Sequence, residues 1–253
     1  MTVLEVKNLS KSFGGVRAVS NVSFSVAAGE LLAMIGPNGA GKTTCFNMVN
    51  GQLAPESGSI DLLGKSLVGK APRAICRNGV GRTFQITAAF GSMSVRENVQ
   101  VALLSHERGL GSLISALSAS SAKQAKQILE QVGMDSQSEL PCAELAYGDL
   151  KRVELAMALA SRPRLLLMDE PTAGMAAAER DALMQLTASL ARDANVAVLF
   201  TEHDMEVVFR HADRVIVLSA GELIAQGTPA EVRADAQVQR VYLGDPDAES
   251  GHA

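Results

Sequence analysis

Two early stretches alternate apolar and polar positions. Val3, Glu5 and Lys7 interleave with Leu4 and Val6, and Val22, Phe24 and Val26 interleave with serines and Ala27. A period of two is that of a half-buried strand, so the chain is predicted to open with an antiparallel β element. Leu31 to Ile35 is different: a continuous apolar run closed by Gly36, the pattern of a central strand covered on both faces. Leu165 to Met168 and Val196 to Phe200 repeat that pattern, each preceded by a helical period and followed by polar residues. This alternation predicts a mainly parallel α/β sheet, whose ligands belong beyond the carboxyl ends of its strands. Lys42 with Thr43, Asp169 with Glu170, and His203 all follow such ends.

Between the first two buried runs, residues 86–162 show helical periodicity. Ala125, Ile128, Leu129 and Val132 recur at helical spacing before Gly133, a plausible stop, and Leu150, Val153, Met157 and Ala160 repeat the spacing. The Ser/Ala-rich stretch from Ser112 to Ala122 reads as either loop or helix surface. Val215 to Leu218, a turn at Ala220-Gly221-Glu222, and Leu223 to Ala225 read as a hairpin. The organisation expected is one discontinuous core of residues 1–85 and 163–243, an inserted helical subdomain of residues 86–162, and a flexible tail of residues 244–253.

Composition narrows the partners. A net charge of −4 gives no electrostatic reason to expect nucleic acid. The apolar runs fall far short of the ~20 residues of a spanning helix, so any membrane role is expected to be peripheral. No charged leader precedes an apolar core. Cys45, Cys76 and Cys142 form no CxxC pair, which suits a reducing cytoplasm.

The strongest chemical signal is Gly36-Pro37-Asn38-Gly39-Ala40-Gly41-Lys42-Thr43, a full match to the GxxxxGK[ST] phosphate loop, set after a buried strand and before a helix. Glycines let backbone N–H groups curl around phosphate oxygens, and the following helix adds its positive end. Lys42 is placed to reach the outer phosphates of ATP, Thr43 to bind Mg²⁺, and Thr44 to donate further. At the second buried run, Asp169 suits the Mg²⁺ shell, directly or through water, and Glu170 suits the base that polarises the attacking water. Taken alone, an apolar run ending in Asp-Glu fits a plain strand exit equally well. Gln85 and His203 are weak signals in isolation.

Leu145-Ala146-Tyr147-Gly148-Asp149, ahead of an apolar-periodic helix and the Asp169 strand, resembles the signature motif of ABC ATPases. The resemblance covers residues 2 to about 243. It implies a P-loop NTPase core with an N-terminal antiparallel β subdomain and an inserted helical subdomain. It also implies Phe13 as an adenine-stacking aromatic, Gln85 as the Q-loop residue and a further Mg²⁺ contact, and Ala146, Tyr147, Gly148 and Asp149 as nucleotide contacts. Residues 173–176 match the D-loop, and His203 the switch histidine. Arg82-Thr83-Phe84-Gln85, Glu202-His203-Asp204-Met205 and Val241-Tyr242-Leu243-Gly244 are most similar to the ATPases of branched-chain amino-acid importers and their urea or amide relatives.

The partners implied are transmembrane permease subunits, a second ATPase subunit, identical or not, and an extracytoplasmic solute-binding protein. The location implied is the cytoplasmic face of the inner membrane. Two departures stand out: Ala146 replaces the usual serine of the signature, and Ala176 the usual Asp or Asn of the D-loop. They read either as tolerance through backbone contacts or as a weak shared site that needs a better, non-identical partner, the second being the preferred reading. A non-transport ABC protein acting on nucleic acid or ribosomes is the alternative; the tandem units or long arm usual in that class are not visible.

Overall fold

A computed structural model of the protein describes residues 1–83, 89–106 and 119–243. The chain opens with β1 (Thr2–Phe13) and β2 (Val16–Ala27), then enters the central strand β3 (Leu31–Ile35), the phosphate loop and α1 (Lys42–Val49). After β4 (Ser57–Leu62), β5 (Lys65–Ser66), α2 (Pro72–Arg77) and β6 (Val80–Thr83) come three helices, α3 (Val95–His106), α4 (Ala119–Val132) and α5 (Tyr147–Leu159). The sheet resumes at β7 (Leu165–Asp169), α6 (Ala177–Ala194) and β8 (Ala197–Thr201). It closes with α7 (Met205–His211), β9 (Arg214–Ser219), β10 (Glu222–Gly227), α8 (Pro229–Ala234) and α9 (Ala236–Leu243).

The smaller sheet runs β2-β1-β4-β5, antiparallel throughout. Its register slips after Val6, where Asn8 takes a positive φ of 49°. An extra residue of this kind bends the strand, and it lets Leu9 return to the buried face beside Leu4 and Val6. The larger sheet runs β10-β9-β3-β8-β7-β6. Its strands are parallel except β10, which pairs antiparallel with β9.

Every residue of β3, β7 and β8 is buried, which is why they are apolar without a break up to the polar residues Asp169 and Thr201 that end β7 and β8. Alternate side chains serve two different cores. Leu31, Ala33 and Ile35, with Phe200 and Met168, pack beneath the helices. Leu32 and Met34, with Leu167 and Leu199, pack against α1 and the antiparallel sheet. The helices α3, α4 and α5 rest on one another through Val95, Val99, Leu129, Val132 and Val153.

The mainly parallel sheet, the opening β element, α4 with its stop at Gly133, and the β9–β10 hairpin agree with the patterning. Sequence reading missed β4 with β5, α2 and β6. Each is short, and β6 carries Gly81 and Arg82 within four residues, so no apolar run marks it. The hairpin turn is also one residue tighter than expected, because Glu222 already begins β10. Residues 84–88, 107–118 and 244–253, and with them the expectations for Gln85, for the tail and for the Ser/Ala-rich stretch up to the start of α4 at Ala119, lie outside the described residues.

Candidate functional site

The loop between β3 and α1 is shaped by what surrounds it. A Cβ added at Gly36 would lie 2.2 Å from the Leu218 carbonyl oxygen, and one at Gly41, where φ is 103°, would lie 2.4 Å from that of Ala18. These two glycines are therefore required by neighbouring backbone as well as by any phosphate. The turn between β9 and β10 reaches over to the loop, where the Gly221 amide donates to the Ala40 carbonyl at 3.1 Å. From the C-terminal side, α9 brings Tyr242 toward the loop; partial burial pushes its phenol pKa up to about 12, with the Gly36 backbone pulling the other way.

Lys42 is buried at the start of α1, and its Nζ donates to the carbonyls of Gly36 at 2.6 Å and Pro37 at 3.1 Å. Burial holds the ammonium below its ordinary pKa of 10.5, with the Glu170 and Asp169 carboxylates pulling the other way. Thr43 is exposed and Thr44 half-buried on the same first turn. No side chain caps this helix, so its free N-terminal amides face the loop, an arrangement suited to an anion.

Asp169 ends β7 and Glu170 follows it with a positive φ of 49°, a turn that swings the second carboxylate out of the strand line. Thr201, at the end of β8, joins the two residues. Its hydroxyl donates to Asp169 Oδ1 at 2.8 Å and accepts from the Glu170 amide at 3.1 Å. Glu170 Oε1 lies 2.7 Å from His203 Nε2. The buried Glu202 carboxylate accepts from the Thr172 amide and hydroxyl at 2.9 and 2.6 Å and from the His203 amide at 3.2 Å. It thereby fixes the turn after Glu170 and the His203 backbone to each other. Arg82, from β6, completes the group with Nη2 3.3 Å from Asp169 Oδ2.

The structure thus gathers Lys42, Asp169, Glu170 and His203 at the carboxyl ends of β3, β7 and β8. Thr201, Glu202 and Arg82 were not singled out from sequence. The first two stand inside the Phe200-Thr201-Glu202-His203 run and Arg82 inside Arg82-Thr83-Phe84-Gln85, so position was the available signal.

The other expected contacts lie on different elements. Phe13 is 47% exposed at the end of β1, with Lys11 Nζ 5.6 Å from its ring centroid. Ala146 is the N-cap of α5, and Tyr147, Gly148 and Asp149 form its first turn. Tyr147 sits over Gly174 and is approached by Lys151 at 5.4 Å. Gly148 faces the Glu179 carboxylate of α6. Asp149 Oδ2 accepts from Gln137 Nε2 at 3.3 Å.

Among the described residues no group of three or more His, Cys, Asp or Glu converges as a ready-made metal cage. The hard oxygen donors present, the Asp169 carboxylate and the Thr43 hydroxyl, fit an ion such as Mg²⁺, which is commonly held by one or two protein groups together with phosphates and water.

Comparison with known proteins agrees with this geometry. The family model described as ABC transporter matches residues 19–173. A second, described as branched-chain amino acid ATP-binding cassette transporter, matches residues 222–248. The high-affinity branched-chain amino acid transport ATP-binding protein LivG of Salmonella typhimurium is 38% identical over 252 residues, covering 96% of this chain and 98% of that protein. An ATP-binding cassette of an ABC transporter in its ADP conformation superposes with a TM-score of 0.87 at 30% identity, covering 97% of this chain and 100% of the other. A dimeric cassette in a post-hydrolysis state, bound to ADP and Pi, matches with a TM-score of 0.75 at 25% identity over 89% of this chain and 98% of that one.

Proposed function

Given that this chain belongs to the ABC transporter ATP-binding family, we propose that it is the motor subunit of an importer for branched-chain amino acids or related small polar solutes. The observation that carries the chemical part is the convergence of Lys42, Asp169, Glu170 and His203 around the phosphate loop. The solute class is supported by the likeness to LivG over nearly the whole chain.

In this reading the loop amides and Lys42 hold the β- and γ-phosphates of ATP, and Phe13 stacks on the adenine. Thr43, Asp169 and Gln85 serve Mg²⁺, which when bound neutralises charge on the phosphates. Glu170 accepts hydrogen bonding from the attacking water and orients it. His203, held on Glu170 Oε1 at 2.7 Å, keeps that carboxylate in place and sits where it can meet the γ-phosphate. The signature residues Ala146, Tyr147, Gly148 and Asp149 are assigned to the nucleotide on a second ATPase subunit, so that two subunits close head to tail over shared ATP. Support for a shared site comes from their place at the N-terminal turn of α5, an end suited to an anion, and from the dimeric cassette bound to ADP and Pi.

Residues 1–85 and 163–243 form the ATPase core in this proposal, and residues 86–162 the subdomain that carries the signature. No helix among the described residues is long and apolar enough to cross a membrane. Transport then rests on permease subunits, with a solute-binding protein outside and this chain on the cytoplasmic face. The alanines at 146 and 176 favour a non-identical second ATPase.

The test is coexpression with the permease subunits, mild detergent extraction, and measurement of ATP turnover and solute uptake in the same complex. Lys42→Ala should lower turnover by about 10²–10³, the usual loss on removing one electrostatic contact to the reacting group, and abolish uptake. Turnover at the wild-type rate would overturn the site, and failure to copurify with any permease would overturn the transport role.

A further inference from the structure

Arg82 has been given no role in the phosphate-loop chemistry just described, yet it holds the carboxylate that this chemistry uses. Its side chain is largely enclosed, and Nη2 lies 3.3 Å from Asp169 Oδ2. Nη1 donates to Asn47 Oδ1 at 3.1 Å and to Gln52 Oε1 at 3.3 Å. Asn47 belongs to α1, the helix that leaves the phosphate loop, so one guanidinium ties that helix to the end of β7. The other Asp169 oxygen accepts from Thr201. Both oxygens therefore already have donors, and one of those donors is a permanent cation.

Charge makes the arrangement consequential. Lys42 and Arg82 both stand against the Asp169 and Glu170 carboxylates. A divalent ion seeks the same carboxylate as the guanidinium, and the two cations repel each other. We propose that Arg82 is a positioning residue that orients Asp169 and competes with the divalent cation for its carboxylate. Metal binding then loosens the tie between β6, α1 and β7. Since Arg82 lies on β6, three residues before Gln85, the release is felt at the strand that leads to the Q-loop. The inference rests on the Mg²⁺ reading above.

The experiment measures the dissociation constant of a non-hydrolysable ATP analogue in EDTA and again at saturating Mg²⁺. The ratio of the two is the factor by which the metal tightens nucleotide binding, a linkage quantity independent of turnover. In Arg82→Met and Arg82→Gln this factor should rise about tenfold, the scale of one unit charge acting across a partly screened site. In Arg82→Lys, which keeps the charge, it should stay within about twofold of wild type. Arg82→Gln retains donors toward Asn47 and Asp169, and it carries the test if Arg82→Met does not fold. An unchanged or smaller factor in folded Arg82→Gln overturns the proposal. A wild-type factor of one instead removes the Mg²⁺ reading, so the two failures are told apart.

Discussion

Lys42 is a cation kept partly out of water by its own loop, with two backbone carbonyls as its nearest acceptors. Burial lowers its pKa from 10.5, so the free protein gives up this proton more readily than an ordinary lysine does. Phosphate oxygens around the ammonium act in the opposite direction and raise it. In the alkaline window between the lowered and the restored values, ATP binding should therefore take up protons, and near neutral pH it should take up none at this group. Calorimetry in two buffers of different ionisation enthalpy measures the uptake; its absence in Lys42→Met would assign it. Glu170→Gln should keep ATP binding and lose about 10²–10⁴ in turnover, the range of general-base catalysis; loss of binding instead would make Glu170 structural. Gly148→Asp is a poorer probe of the signature, because its Cβ would stand 3.1 Å from a Glu179 carboxylate oxygen and set two like charges together within one subunit. Lys42 was legible through the full phosphate-loop motif, Asp169 and Glu170 through their place at the end of an apolar run, and His203 only through the family resemblance. Arg82 and Thr201 matter through what they touch across strands β6, β7 and β8, and one-dimensional spacing does not encode those partners.

At the level of elements, the two family departures turn out to occupy equivalent places. Ala146 is the N-cap of α5 and Ala176 that of α6, both with extended backbone, at φ −63° and −67° with ψ 153°. Neither has a side chain able to accept from the first-turn amides. Asp204 does so for α7, accepting from the Glu206 and Val207 amides, and Thr228 does so for α8. Restoring a cap should stabilise the protein: Ala146→Ser and Ala176→Asn should each add roughly 0.5–2 kcal/mol, read as a higher urea midpoint at unchanged slope. Asn is preferred to Asp at 176 because Glu179 already approaches that amide at 3.3 Å. A midpoint that does not move would show these amides to be satisfied in another way. The periods of α4 and α5 were readable because buried residues recur along one face. The strands β4, β5 and β6 were not, since edges and short segments carry too few apolar positions to set a period.

For the molecule as a whole, the central strands belong to both cores at once, with Ile35 on one side and Met34 on the other. Phe200→Ala in the core under the helices should cost about 3–5 kcal/mol, and Leu32→Ala in the opposite core about 2–5 kcal/mol. Because β3, β7 and β8 are shared, each change should lower one common unfolding transition by calorimetry and far-ultraviolet dichroism; two separate transitions would mean that the cores unfold independently.

The same sharing bears on the phosphate loop. Its path is constrained by Ala18 of β2, by Leu218 of β9 and by the Gly221 amide, segments far from the loop in the chain. The loop is in this sense not portable. A strand–loop–helix cassette of residues 31–50 grafted into a foreign sheet would keep every letter of the motif and lose the cradle, unless the host left room beside both glycines and aimed an amide at the Ala40 carbonyl.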